Sequence, residues 1–319
     1  MKRIAVMTSG GDAPGMNATV RAVVRSGIDK GMEVLGVIKG YAGLIENNFT
    51  ELSLRSVSDI IHRGGTILRT ARCPEFKTEK GQKTAIKNLA AAGIEGIVVI
   101  GGDGSFMGAK VLSERGVPTI GIPGTIDNDI AYTDFTLGFD TACNTILDAI
   151  NKIRDTMSSH ERISIVEVMG RNCGDLALWS GIGGGAEIII VPEAPLSDAQ
   201  IVKKLTQFKK SGKYSGIIVM AEGAGHADEL MERLTKRTGF HIRSTVLGHI
   251  QRGGSPSMQD RYLGTSFGAY AVDLLYRGIG NRIIGIKNNK IFDTDITEGL
   301  KQVKKFNKKL YKLAETVAK

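Results

Sequence analysis

Apolar, β-branched runs of four to six residues alternate along this chain with stretches whose apolar positions recur every three or four residues. The runs predict strands at Ile4–Thr8, Glu33–Ile38, Gly96–Ile100, Thr119–Ile122, Ile163–Val168, Glu187–Val191, Gly216–Met220, Thr245–Leu247 and Arg282–Ile286. The clearest helix is predicted over residues 139–158, where Phe139, Cys143, Ile146, Ile150, Ile153 and Met157 make one stripe. Val303, Phe306, Leu310, Leu313 and Val317 predict an amphipathic helix in the last nineteen residues, 301–319. Strand and helix alternation of this kind is the pattern of parallel sheets covered by helices on both faces. Ligands in such sheets bind beyond the carboxyl ends of the strands.

At 319 residues the chain is longer than one hydrophobic core usually serves, so two domains are expected. No composition shift or low-complexity linker marks a boundary. The net charge of +9 suggests a polyanion partner, but residues 301–319 hold seven lysines against Glu315, a local +6, and nine less six leaves +3 for the rest. The apolar residues among these lysines recur at helical spacing, so the run reads as a solvated helix face. Neither a nucleic-acid partner nor a membrane partner is expected. The amino terminus lacks the apolar core of a signal peptide, and no run approaches the roughly 18 residues of a membrane span. Cys73, Cys143 and Cys173 are odd in number and far apart, which suits reduced thiols and a cytoplasmic setting.

The chemistry concentrates in three loops. Pro123-Gly124-Thr125-Ile126-Asp127-Asn128-Asp129 holds a hydroxyl and two carboxylates spaced two apart, which in an extended segment point to one side. Such carboxylates can take a proton and steady a metal. Ser9–Gly15 and Gly101-Gly102-Asp103-Gly104-Ser105 are glycine-rich turns after strand-like runs, where backbone N–H groups can approach a phosphate. A carboxylate at Asp103 beside phosphates makes sense chiefly if Mg²⁺ bridges the two. Neither GxGxxG nor GxxxxGK[ST] occurs, which argues against a dinucleotide fold and a Walker-type ATPase. His160, Arg162, Arg171, Arg243, His249, Arg252 and Arg261 mostly flank strand candidates and suit an anionic substrate. His62, His226 and His241 show no metal-ligand spacing, and Trp179 sits in a short helical run that suits packing.

Thr8–Asp12 with Pro14–Asn17, Ala71–Phe76, Gly101–Ser105, Pro123–Asp129, Val168–Arg171, Ala221–Gly223 and Gly248–Ser255 together resemble the bacterial ATP-dependent 6-phosphofructokinases over nearly the whole chain. The resemblance implies two Rossmann-like three-layer α/β/α domains with mostly parallel sheets and an active site in the cleft between them. It places an ATP-binding domain at 1–138 plus 251–305 and a fructose 6-phosphate-binding domain at 139–250 plus 306–319. The implied reaction is phosphorylation of fructose 6-phosphate to fructose 1,6-bisphosphate, the committed step of glycolysis. Kinases of NAD or lipids also use a GGDG turn, but that motif does not account for Pro123–Asp129 or Gly248–Ser255. A nucleotide sensor without turnover would be expected to have lost Asp127, Asp103 or Arg171, and all three are present.

By the resemblance, Asp127 is the base, with Thr125 and Asp129 beside it. Gly11, Arg72, Cys73, Gly102, Asp103, Gly104 and Ser105 line the ATP site, with Asp103 serving Mg²⁺. Arg72 and Arg171 neutralise the transferring phosphoryl. Ile126, Met169, Gly170, Glu222, His249, Ile250, Gln251 and Arg252 hold the sugar phosphate, and Arg162 and Arg243 serve a neighbouring subunit's site in a homotetramer. Glycine at 104 and 124, where pyrophosphate users carry aspartate and lysine, points to ATP. ADP and phosphoenolpyruvate would act at Arg21, Arg25, Arg154, Gly185, Glu187, Ser211, Lys213, Tyr214 and Ser215. Serines at 211 and 215 replace the usual basic residues and imply a reduced or altered effector response.

Overall fold

The structure is a computed structural model that describes residues 1–318. In chain order it runs β1 (Arg3–Thr8), α1 (Met16–Asp29), β2 (Glu33–Val37), α2 (Gly40–Ile45), β3 (Phe49–Glu51), α3 (Glu79–Ala91), β4 (Gly96–Gly101), α4 (Asp103–Glu114), β5 (Thr119–Pro123) and α5 (Phe139–Ser159). It continues with β6 (Ile163–Val168), α6 (Asp175–Gly183), β7 (Ile188–Ile190), α7 (Asp198–Lys210), β8 (Gly216–Ala221), α8 (Ala227–Thr238), β9 (Ile242–Val246) and α9 (Met258–Tyr276). The last elements are β10 (Arg282–Lys287), β11 (Lys290–Asp295), α10 (Ile296–Leu300) and α11 (Lys308–Val317).

The chain forms two compact units. Of the described residues, the first comprises 1–126, 130–141 and 252–304; the second comprises 127–129, 142–251 and 305–318. The first unit carries a seven-stranded sheet ordered β11-β10-β5-β4-β1-β2-β3. Its five inner strands are parallel, and the two edge strands, β3 and β11, pair antiparallel. β4 and β5 are buried at every residue, as strands covered on both faces must be. α9 lies close against α1 because Gly264 and Gly268, four apart on one face, leave room: a Cβ at Gly264 would stand 2.7 Å from the Thr19 hydroxyl, and one at Gly268 2.7 Å from the Ala22 methyl.

The second unit has a four-stranded parallel sheet ordered β7-β8-β6-β9. Ile163, Ile165, Ile188, Ile190, Ile218 and Met220 of the sheet and Leu205, Leu230 and Leu234 of α7 and α8 form its core. α7 opens on a capping box in which the Ser197 hydroxyl accepts from Gln200 N while the Gln200 side chain accepts from Ser197 N.

The strand expectations match to within one or two residues, with three exceptions. β9 begins at Ile242 rather than Thr245, and β3 and β11 were not anticipated. The carboxyl-terminal helix is also shorter than the periodicity predicts. It starts at Lys308; residues 301–307 are irregular, and Val303 is 81% exposed. Its buried residue is Ala314, with Leu310 and Tyr311 half-buried, whereas Leu313 and Val317 face out. The Trp179 side chain is 43% exposed on α6, so it does not fill the core as its helical setting suggests.

Candidate active site

β5, β4 and β1 are neighbours in one parallel sheet, so the loops that follow them emerge along one carboxyl edge. Those loops are the Gly10–Gly15 turn, Gly101–Ser105 and the start of the Gly124–Asp129 segment. Backbone hydrogen bonds fix their spacing: Ser9 N donates to Ile100 O at 2.9 Å and Gly124 N to Gly101 O at 2.9 Å. The Thr70 hydroxyl donates to Gly10 O at 2.6 Å and closes the first turn against the segment that carries Arg72 and Cys73. Arg72 is exposed and makes no ion pair among the described residues, while Cys73 is half-buried ahead of the 3₁₀ turn Pro74–Lys77.

Gly102 caps α4 and Asp103 is its first residue, so exposed Asp103 and Gly104 lie at the positive end of a twelve-residue helix. A Cβ at Gly104 would meet nothing within 4 Å, whereas one at Gly124 would stand 3.1 Å from both the Ile100 and Met16 side chains. Ser105 is buried, and its carbonyl accepts the Tyr41 hydroxyl at 2.6 Å. Burial raises the Tyr132 phenol well above its ordinary range, and the nearby Asp103 charge adds to that. Arg252 belongs to this unit, and its guanidinium lies against the place where a Cβ of residue 11 would stand. A side chain at 11 would displace the guanidinium. Thr125 O accepts the Thr136 hydroxyl at 2.6 Å, and Ile126 is buried.

In the second unit, β8, β6 and β9 are adjacent and parallel, so Glu222, Met169–Arg171 and Gly248–Gln251 share a second carboxyl edge. Asp127, Asn128 and Asp129 group with this unit. Arg171 Nε stands 3.2 Å from Asp127 Oδ2, and Arg171 N donates to Glu222 Oε1 at 2.8 Å. Arg171 has φ +53°, a left-handed conformation uncommon for a long side chain. Gly170 has φ +125°, and a Cβ there would lie 2.5 Å from Cys173 O. Gln251 is wholly buried and braces the edge: its Oε1 accepts from Met169 N at 3.1 Å and its Nε2 donates to Gly248 O at 3.0 Å. His249 and Ile250 are exposed.

One premise of the sequence reading fails here. Residues 126–127 form a turn and Asn128 has φ +51°, so Asp127 and Asp129 do not alternate along an extended segment. Asp127 is buried and Asp129 only half so. Both arginines assigned to a neighbouring site are at the other end of the sheet. Arg162 precedes β6 and Arg243, exposed on β9, pairs with Ser164, so both lie at the amino ends of strands. The six residues of β6 separate them from Met169 by about 20 Å at roughly 3.3 Å per residue.

Two effector candidates, Arg154 and Lys213, converge on the carboxylate of a third, Glu187. Glu187 is buried and lies 2.8 Å from Lys213 Nζ and 3.6 Å from Arg154 Nη1, while its second oxygen accepts from Ile217 N. Arg154 Nη2 donates to Gly184 O and Gly185 O. Ser211, Tyr214 and Ser215 follow α7, and the Ser211 hydroxyl donates to Phe208 O. Arg21 and Arg25 lie on α1, in the other unit.

Sequence reasoning overlooked Asn128, Asp175 and Asp260. Asn128 Nδ2 donates to Asp175 Oδ2 at 2.9 Å. Asp260 is 1% exposed and accepts from Gly138 N, Thr141 N and the Thr141 hydroxyl, which fixes the start of α5. Asn128 could have been noticed as a small amide between two acids; Asp260 had no local signal.

Residues 3–275 match the family model described as Phosphofructokinase. The chain is 59% identical over 318 residues to an ATP-dependent 6-phosphofructokinase of Clostridium novyi and 57% identical over 319 residues to one of Clostridium botulinum, each alignment covering both chains in full. Among solved structures it resembles a Saccharomyces cerevisiae phosphofructokinase with a TM-score of 0.88 and 35% identity, spanning all of this chain and 47% of the yeast chain. A pyrophosphate-dependent phosphofructokinase of Marinobacter aquaeolei shares the fold, with a TM-score of 0.84 at 22% identity over 96% of this chain and 86% of its own.

Proposed function

The chain belongs to the phosphofructokinase family, and on that premise we propose that it transfers the γ-phosphoryl group of ATP to the 1-hydroxyl of fructose 6-phosphate. The products are ADP and fructose 1,6-bisphosphate, and the hydroxyl proton is released. The observation that carries this reading is the pairing of buried Asp127 with Arg171 at the carboxyl edge of the second unit's parallel sheet.

Asp127 is the general base that takes the proton as the sugar oxygen attacks phosphorus, a role that typically gives 10² to 10⁴-fold in rate. Arg72 and Arg171 offset the charge on the phosphoryl oxygens, the main demand of this chemistry. Thr125 and Asp129 orient the acceptor. The first unit holds ATP through the Gly11 turn, Cys73 and the amino end of α4 (Gly102, Gly104, Ser105). The second binds the sugar phosphate through Met169, Gly170, Glu222, His249, Ile250 and Gln251, and Ile126 and Arg252 are further sugar-phosphate residues.

No cluster of three or more histidine, cysteine or acidic side chains suited to a metal occurs among the described residues. Asp103 offers a single exposed carboxylate at a helix start. That donor set fits Mg²⁺, which commonly uses one or two carboxylates together with substrate phosphates. When bound, the ion would neutralise the β- and γ-phosphate oxygens.

Arg162 and Arg243, far from their own chain's edge, complete the sugar-phosphate site of a neighbouring subunit in a homotetramer. ADP and phosphoenolpyruvate act between subunits, at the Arg154–Glu187–Lys213 cluster with Gly185 and Tyr214 of one subunit and Arg21 and Arg25 of a neighbouring one. Serines at 211 and 215 withhold two cations, so the response to a polyanion is reduced; a strong sigmoidal shift of the rate curve by phosphoenolpyruvate would contradict this. A coupled assay with fructose 6-phosphate tests the reaction itself. Turnover is expected with ATP and not with pyrophosphate; the reverse preference would overturn the donor assignment.

A further inference from the structure

Asn128 separates the two acids of its loop, and the structure anchors it from both sides. It is 1% exposed with φ +51°, a left-handed conformation that asparagine tolerates better than most residues. Its Nδ2 donates to Asp175 Oδ2 at 2.9 Å, and its carbonyl lies 3.9 Å from the Cys173 thiol. Asp175 is the first residue of α6, a nine-residue helix whose Leu176, Ala177 and Leu178 are wholly buried, so the acceptor is fixed by a rigid element.

The segment that anchors Asn128 is the one that carries Arg171. Arg171 lies four residues before Asp175, and its Nε reaches Asp127 Oδ2 at 3.2 Å. Asp127, Asn128, Asp175 and Arg171 therefore form a closed ring of two covalent paths and two polar contacts, all within the second unit.

We propose that the Asn128–Asp175 hydrogen bond is a tether that positions the Asp127 carboxylate against Arg171, with Asn128 acting through its neighbour rather than on substrate. The inference rests on Asp127 being the base. Three alternatives at residue 128 separate the causes. Glycine would accept the φ and lose the anchor; alanine would lose the anchor and strain the backbone; aspartate would set one carboxylate against another.

The test compares Asn128→Gly, Asn128→Asp, Asp175→Asn and the exchange Asn128→Asp/Asp175→Asn, with Asp127→Ser alongside. Turnover and KM are measured with ATP and fructose 6-phosphate, together with melting temperature. Misplacement of a catalytic group by about 1 Å can cost on the order of 10²-fold. Asn128→Gly and Asn128→Asp are expected to lower kcat by about 10- to 100-fold with both KM values within about 3-fold of wild type. Asp175→Asn, whose amide oxygen can still accept, should lose little. The exchange should recover kcat to within about 3-fold, because donor and acceptor are restored in reversed order. Wild-type kcat in Asn128→Gly, or an exchange no better than Asn128→Asp, overturns the tether while a loss in Asp127→Ser leaves the base standing. Wild-type turnover in Asp127→Ser removes the base and the tether with it. Should Asn128→Gly fail to fold, the comparison of Asn128→Asp with the exchange decides alone.

Discussion

Arg171 Nε lies 3.2 Å from Asp127 Oδ2, joining a guanidinium that is 64% exposed to a carboxylate that is 2% exposed. The asymmetry matters because the acid is fixed by burial while the cation keeps access to solvent and to an anion. Arg171→Ala should lower kcat/KM by at least about 10²-fold, in line with the loss of one donor to developing charge. Arg171→Lys should recover only part, since an ammonium cannot reproduce the planar fork. Steady-state rates decide it, and full recovery by lysine would show that charge alone suffices.

Arg162 and Arg243 at the amino ends of β6 and β9 lead to a subunit-mixing prediction. Arg162→Ala should chiefly raise the KM for fructose 6-phosphate. At fructose 6-phosphate well below the raised KM, oligomers reassembled from Arg162→Ala and Asp127→Ser subunits should be more active than either variant alone, because one class of mixed site receives an intact base and an intact arginine. Mixed oligomers no more active than the parents would place Arg162 outside the neighbouring site.

Gly104 and Gly124 should respond differently. A side chain at 104 enters open space, so Gly104→Asp should leave the melting temperature within about 2 °C while raising the KM for ATP at least about 10-fold through charge repulsion. Gly124→Lys must push on Ile100 and Met16 from 3.1 Å and should also destabilise, by about 1 to 3 kcal/mol. Thermal melts and ATP titrations separate the two effects. Unchanged ATP affinity in Gly104→Asp would remove charge at that position as the basis of donor choice.

Asp260 gives a pH prediction. Burial pushes its carboxyl up to about 6 from 3.8, against the hydrogen bonds from Thr141 and Gly138 that pull it down. A folded value above the unfolded one means that the group's contribution is complete below about pH 4 and is lost as pH rises through about 6, by about 3 kcal/mol. Asp260→Asn cannot titrate, so its stability deficit relative to wild type should be largest near pH 4 and shrink by about that amount by pH 7. Melting curves of both proteins across this range test it; a deficit that grows with pH would contradict the assignment.

How far the chain could be read without coordinates depended on where the information lay. β1, β4, β6 and β8 are continuous apolar runs because both faces of those strands are covered, and local pattern suffices to find them. β3 and β11 are edge strands with half-exposed side chains, so they lack that pattern. The β10–β11 hairpin nevertheless carries a signal that went unused: Asn288 and Asn289 both have positive φ, as a two-residue primed turn requires. The regular spacing in residues 301–319 misled because periodicity shows that a helix is possible, while packing of α11 on α6 decides which part forms. The glycine turns follow their strands as local pattern predicts, whereas the bend at Asn128 that parts Asp127 from Asp129 carries no such pattern. The buried partnerships of Asn128 with Asp175 and of Asp260 with Thr141 join residues 47 and 119 positions apart, and no local pattern carries them.

The most direct test of the account is the turnover number of Asp127→Ser with saturating ATP, Mg²⁺ and fructose 6-phosphate. A fall of at least about 10²-fold, with the affinity for the sugar phosphate within a few fold of wild type, is the result expected for a lost general base. Turnover equal to wild type would show that the buried carboxylate beside Arg171 does not take the proton.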